Sequence, residues 1–164
     1  MSSKPPRATF WVSTWWPVAL ATAVICLEST EFMGADHTTG PLRGMVEALF
    51  GRFSDASWEM IHHYIRKSGH FLGYGLVGLA WLRAWRRVLE EHSFLFCAGL
   101  SMVCTFLVAG SDEWHQTFLP NRTGQFRDVL LDCFGALILI TFDYLMVSWF
   151  HRRHQAARRS SAQR

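Results

Sequence analysis

The sequence predicts an all-α integral membrane bundle of four transmembrane helices, with a re-entrant polar turn between helices three and four. Three observations carry this. Half of the 164 residues are apolar, with eight Trp and 13 Phe, too greasy a composition for an ordinary small soluble domain. The apolar residues are gathered into blocks separated by charged segments instead of recurring at helix or strand period. The basic residues cluster at alternate block ends.

Residues 1–7 carry Lys4 and Arg7 and are expected to form a cytoplasmic N-terminus. The first span, 8–27, reads ATFWVSTWWPVALATAVICL, 20 residues without a charge. That is the length needed to cross a hydrocarbon core of about 30 Å. Trp11, Trp15 and Trp16 suit an interfacial belt. Ala21-Thr22-Ala23 resembles a signal-peptide cleavage site, but the apolar run continues to Leu27 and is longer than an h-region of about 7–15 residues. An uncleaved span is therefore the reading adopted, and either choice leaves the downstream topology unchanged.

Residues 28–65 are expected on the extracytoplasmic side. Thr30, Gly34, Asp36, Thr38 and Gly40 read as irregular chain. The following PLRGMVEALFGRF puts Leu42, Met45, Val46, Leu49, Phe50 and Phe53 on one helical face, which suits either an interfacial helix or a cover for the bundle. Ser54 or Asp55 can cap a further helix that runs unbroken through WEMIHHYIRKSGH, with His62 as an exposed helical residue, into the second span.

That second span, 70–85, is short unless Lys67 and His70 lie at one membrane boundary and Arg83, Arg86 and Arg87 snorkel to the other. The third, 93–110, spans cleanly. The fourth, 129–150, carries Asp132 and Asp143, the latter expected to pair with Arg83 or Arg86. Residues 151–164, HRRHQAARRSSAQR, read as a disordered cytoplasmic tail touching anionic lipid, not as a nucleic-acid ligand. Ten of the 16 basic residues, including Arg83, Arg86, Arg87 and those after residue 150, fall on one side if the chain crosses four times, so both termini should be cytoplasmic.

The four Cys (26, 97, 104 and 133) all lie inside apolar blocks and form no CxxC pair, which argues against a disulfide framework or zinc ribbon.

Between the last two spans, SDEWHQTFLPNRTGQFRDVLLD (111–132) crowds charge between apolar runs. Helical spacing puts Asp112, His115 and Gln116 on one face, with Glu113 on its flank, if the third helix runs past Gly110. Pro120-Asn121 breaks that helix, Arg122-Thr123-Gly124 forms a tight turn, and Gln125-Phe126-Arg127 leads into the fourth, where Asp128 and Asp132 lie one turn apart. Asp132 is then about 6 Å deeper in the membrane than Asp128, where a carboxylate needs a cation or donor. His63, Lys67, His70 and Tyr74 form a facing stripe within about 60° around the second helix axis.

Three uses of this cluster compete. Lys67, Arg122 and Arg127, aided by Gln116 and Gly124, can hold a phosphate or carboxylate, with His70 or His115 moving a proton and Asp112, Glu113, Asp128 and Asp132 orienting them. Alternatively, the ion pairs merely latch three helices together or form a docking surface for another membrane protein. A metal site is not expected: Asp112-x-x-His115 has the spacing of carboxylate-bridged sites, but a second such motif is missing and HExxH is absent. No cofactor is expected either.

The same residues carry a resemblance. RKSGHFLGYGLVGL (66–79) and SDEWHQTFLPNRTGQFRDVLLDCFGALI (111–138) resemble the VanZ-like membrane protein family, which shows Lys-x-x-His before one helix, then Asp-Glu-x-His-Gln, an Arg-[Ser/Thr]-Gly turn and Asp-x-x-x-Asp entering the last helix. Residues 66–150 are accordingly taken as a VanZ-like core. The resemblance implies a multi-pass protein of the bacterial cytoplasmic (inner) membrane. That family is named for a protein linked to teicoplanin resistance, so it also implies an effect on glycopeptide sensitivity. The expected partners are membrane lipid and a lipid-linked envelope precursor, with no nucleic acid. Ser68-Gly69-His70 also occurs as a triplet in lipid-phosphate phosphatases, but the patterns that accompany it there are missing.

Overall fold

A computed structural model describes residues 7–30, 35–119 and 124–162. The described residues form five helices and no strand: α1 (Arg7–Glu28), α2 (Ala35–Phe50), α3 (Asp55–Val88), α4 (Phe94–Gln116) and α5 (Phe126–Ala162). Three of them, α1, α4 and α5, are long and apolar enough to cross a membrane. The turn expected at Pro120 to Thr123 lies outside the described residues.

α3 is the axis of the bundle and packs on α1, α4 and α5. Its 34 residues make it about 51 Å long at 1.5 Å per residue. It starts where the sequence puts a cap: the Ser54 hydroxyl accepts the Ser57 N–H at 3.2 Å. Ser93 caps α4 in the same way, accepting from Phe96 N–H at 3.2 Å.

α3 and α5 meet through glycine. A Cβ on Gly78 would stand 2.7 Å from that of Ala136, one on Gly75 would stand 2.9 Å from Leu139 Cγ, and one on Gly135 would overlap the Phe71 carbonyl oxygen. Absent side chains thus let the two backbones touch, the usual device where apolar surface gains nothing by leaving lipid. Around this crossing, Ile25, Tyr74, Val77, Ala109 and Val129 pack as one core and Leu82, Cys97 and Ile140 as another. The four Cys are free thiols.

Contacts at the two ends fix the relative directions of the helices. Arg83 and Arg87 donate to the Ser13 carbonyl at 3.1 and 3.2 Å, tying the end of α3 to the start of α1. The Phe94 ring meets Tyr144 at 4.9 Å at the same end. Asp143 was expected to pair with Arg83 or Arg86, but Arg83 serves α1 carbonyls and Arg86 lies over the Phe94 ring at 5.5 Å. At the opposite end, Ser29, just after α1, meets Asp112 of α4, and Lys67 of α3 meets Asp128 of α5.

Two segments are more ordered than the sequence suggests. The helix before α3 begins at Ala35, so Asp36, Thr38 and Gly40 are helical and Pro41 sits inside it. It ends at Gly51, whose φ of 87° places it in the left-handed region that glycine tolerates. The basic tail also continues α5 to Ala162. Its Ala, Arg, Gln and His residues extend a helix at little intrinsic cost, and no Pro or Gly stops them.

α2 is fastened to the start of α3 by Arg43, which donates to Glu47 and Asp55 at 2.8 Å each and to the Phe53 carbonyl at 2.9 Å. The paired guanidinium holds the Glu47 carboxyl below its ordinary range. Met45, Leu49 and Phe50 remain 67, 77 and 75% exposed, so this half of the α2 apolar face does not cover the bundle.

Candidate functional site

The polar residues gather where α4 ends, beside the middle of α3 and the start of α5. Asp112 is the hub. Its carboxylate accepts from the Ser29 hydroxyl just after α1, from the Tyr74 hydroxyl of α3 at 2.9 Å and from Gln116 Nε2 one turn on at 3.2 Å. Three donors, from α3, α4 and the residue after α1, thus meet one carboxylate that is almost fully buried.

Glu113, the next residue, points toward α5. It is buried and accepts the Gln125 backbone N–H at 2.8 Å, anchoring the chain just before α5 to the end of α4. Gly124 makes that approach possible, because a Cβ there would overlap the Glu113 carbonyl oxygen. Gly124, expected to aid anion binding, is thus also a close-packing position.

His70 and Asp132 form the deepest part. The ring of His70 stacks on that of Tyr74 at 6.2 Å, and its Nδ1 stands 3.6 Å from Asp132 Oδ1, beyond hydrogen-bond reach. Asp132 is 0% exposed, and neither of its oxygens nor His70 Nδ1 has a hydrogen-bond partner among the described residues. Lys67 does not relieve this, since its ammonium is paired with Asp128. His70, Asp112 and Glu113 each present a ligand-type atom, and these atoms lie within 4.8 Å of one another.

The structure therefore brings together Lys67, His70, Asp112, Glu113, Gln116, Gly124, Asp128 and Asp132. Other expected members stand apart. His115 is exposed at the surface of α4, Arg127 is exposed, and Arg122 lies outside the described residues. In the α3 stripe, His63 is exposed and contacts the Tyr64 ring at 5.8 Å, while Tyr74 is fully buried. His62, expected to be exposed, is buried and stacked on Trp58 at 5.6 Å. That burial, with Arg66 nearby, pushes its imidazole down from the ordinary range, so His62 belongs to packing and not to the cluster.

Tyr74 was placed in the polar stripe of the second helix without a role of its own, and Ser29 was not singled out. Ser29 gave only a faint signal, a polar side chain directly after an apolar span, and its partner is 83 residues away.

A groove of about 490 Å³ opens between α1 and α4 and reaches this hub from the side. Ile25, Leu107 and Val108 form part of its apolar wall, and Ser29, Ser111, Asp112 and His115 its polar end.

A family model described as VanZ/LLP1 matches residues 14–148 of the chain. No curated protein matches it, and no solved structure does.

Proposed function

The chain belongs to the VanZ/LLP1 family and is a membrane protein of that type, and from this we propose that it crosses the bacterial cytoplasmic membrane four times and binds an anionic envelope lipid or lipid-linked precursor. In this reading both termini are cytoplasmic and the polar hub faces outward. The observation that carries it is the groove between α1 and α4, apolar along Ile25, Leu107 and Val108 and polar at Ser111, Asp112 and His115. An acyl chain suits the first part and a headgroup the second.

His115 at the polar end is the group placed to meet a headgroup, and Arg127 at the start of α5 would add a cation. His70 and Asp132 stand behind Asp112, where a proton could be taken up if the bound lipid is modified. Holding a lipid-linked envelope precursor would be the route to altered glycopeptide sensitivity.

A second reading has its own support. Asp112 is satisfied by Ser29, Tyr74 and Gln116, and Lys67 is paired with Asp128, which is what a latch between helices or the underside of a protein-docking surface requires.

Native mass spectrometry of the purified protein separates the two. A lipid-binding protein retains a co-purifying phospholipid, and Val108→Trp, which fills the groove, removes it while the protein still migrates as a folded species. Equal lipid occupancy in both proteins, or no retained lipid in the wild type, sinks the lipid reading.

A further inference from the structure

The described cluster holds three buried carboxylates, Asp112, Glu113 and Asp132, and pairs none of them with a lysine or arginine among the described residues. Asp112 and Glu113 receive neutral donors only. Asp132 receives none, although it is 0% exposed, and the nearby His70 Nδ1 is buried and equally without a partner. A buried carboxylate with no donor is an expensive arrangement unless something outside the chain completes it.

We infer that His70, Asp112 and Glu113, with Asp132 beside them, form a binding site for a divalent first-row transition metal ion. The ligand types fit: one imidazole with carboxylates suits ions such as Mn²⁺, Fe²⁺ or Zn²⁺, and among the described residues no cysteine joins the group to select softer metals. The spacing fits as well. Ligand atoms sharing one ion at about 2.1 Å stand about 3.0–4.2 Å apart, and those of His70, Asp112 and Glu113 lie within 4.8 Å of one another, so small side-chain rotations close the shell.

Asp132 supplies the independent sign. It stands 3.6 Å from His70 Nδ1, where it can orient a ligating imidazole or add a further oxygen. A carboxylate behind a ligating histidine is the usual support for a metal site. The pairing differs from the Asp112-x-x-His115 spacing visible in the sequence: His115 faces the groove, and the imidazole arrives instead from α3.

This site does not depend on the lipid reading. It would nonetheless make that reading easier, because an ion among these carboxylates reverses the repulsion they present to a phosphate.

The test uses full-length, tag-free, delipidated protein in detergent, stripped with chelator and titrated with Mn²⁺ and with Zn²⁺. Binding is followed by the electron paramagnetic resonance of free Mn²⁺ and by calorimetry. The wild type is expected to bind one ion per chain, and Glu113→Gln and Asp132→Asn to weaken binding by about tenfold to a hundredfold. Glu113→Gln keeps an oxygen for the Gln125 N–H, so it preserves the fold even where Asp132→Asn does not, and size-exclusion profiles confirm that. Glu90→Gln, an exposed control, should bind as the wild type does. A wild type that takes up no stoichiometric ion overturns the site, as does an affinity that Glu113→Gln leaves unchanged. Because the titration contains no lipid, its outcome is independent of lipid occupancy, which is measured with chelator present.

Discussion

At the scale of single residues, Asp112 and His115 separate what burial does from what sequence spacing suggests. They lie three residues apart on α4, the spacing of a facing pair. Yet Asp112 is buried under three donors while His115 is exposed at the groove. Their substitutions should therefore diverge. Tyr74→Phe removes one donor to a buried carboxylate and is expected to lower stability by about 1.5–3 kcal/mol, the range for a hydrogen bond to a charged group. His115→Ala strands no buried partner and should change stability by about 0.5 kcal/mol or less. Reversible unfolding in mixed micelles, followed by tryptophan fluorescence, measures both. Equal losses in the two variants would mean that Tyr74 and Asp112 do not carry the hub.

At the scale of elements, the crossing of α3 and α5 rests on residues with no side chain. Gly135→Ala places a methyl group onto the Phe71 carbonyl and must push the helices apart, a form of overpacking that costs about 1–3 kcal/mol. Gly99→Ala is the contrast, since a Cβ there meets nothing within 4 Å. It should leave stability unchanged or raise it slightly, as alanine favours helix over glycine. The same unfolding assay reads this difference, and a loss at Gly99 equal to that at Gly135 would remove the crossing as its cause.

These elements also show what the sequence makes legible. The Ser54 cap and the unbroken run of α3 are local chemistry, as is the extension of α4 past Gly110 to Gln116, and all three are readable from spacing. The same helical period puts Asp112 and Gln116 on one face with Glu113 on its flank, and these are buried, but it also puts His115 there, which is exposed. What spacing cannot give is which flank of α4 faces α3. That choice decides that His70 and not His115 joins Asp112, and that Ser29 arrives from α1. The helical content around Pro41 and beyond residue 150 was hidden for a different reason. Polar, apolar-poor segments signal exposure, and exposure does not distinguish a solvated helix from irregular chain.

At the scale of the whole molecule, the open quantity is the number of crossings. By length and composition α1, α4 and α5 qualify as spans, and α3 does not. A three-span chain would leave α3 wholly on one side of the membrane, with residues 52 and 90 both there. The contacts argue against it. α3 lies along α1, α4 and α5, its Arg83 and Arg87 bond the first turns of α1, and its Lys67 pairs with the start of α5. An element joined to both ends of the spanning helices is expected to cross with them. We therefore predict that Arg52 and Glu90 lie on opposite sides, with Arg159 on the side of Glu90. Single cysteines at these positions, in a protein whose four native Cys are replaced, test this with a membrane-impermeant maleimide on intact cells. Arg52→Cys should label directly, and Glu90→Cys and Arg159→Cys only after permeabilisation. Labelling of Glu90→Cys and Arg52→Cys from the same side would remove α3 from the membrane, and with it the outward-facing hub on which the lipid reading depends.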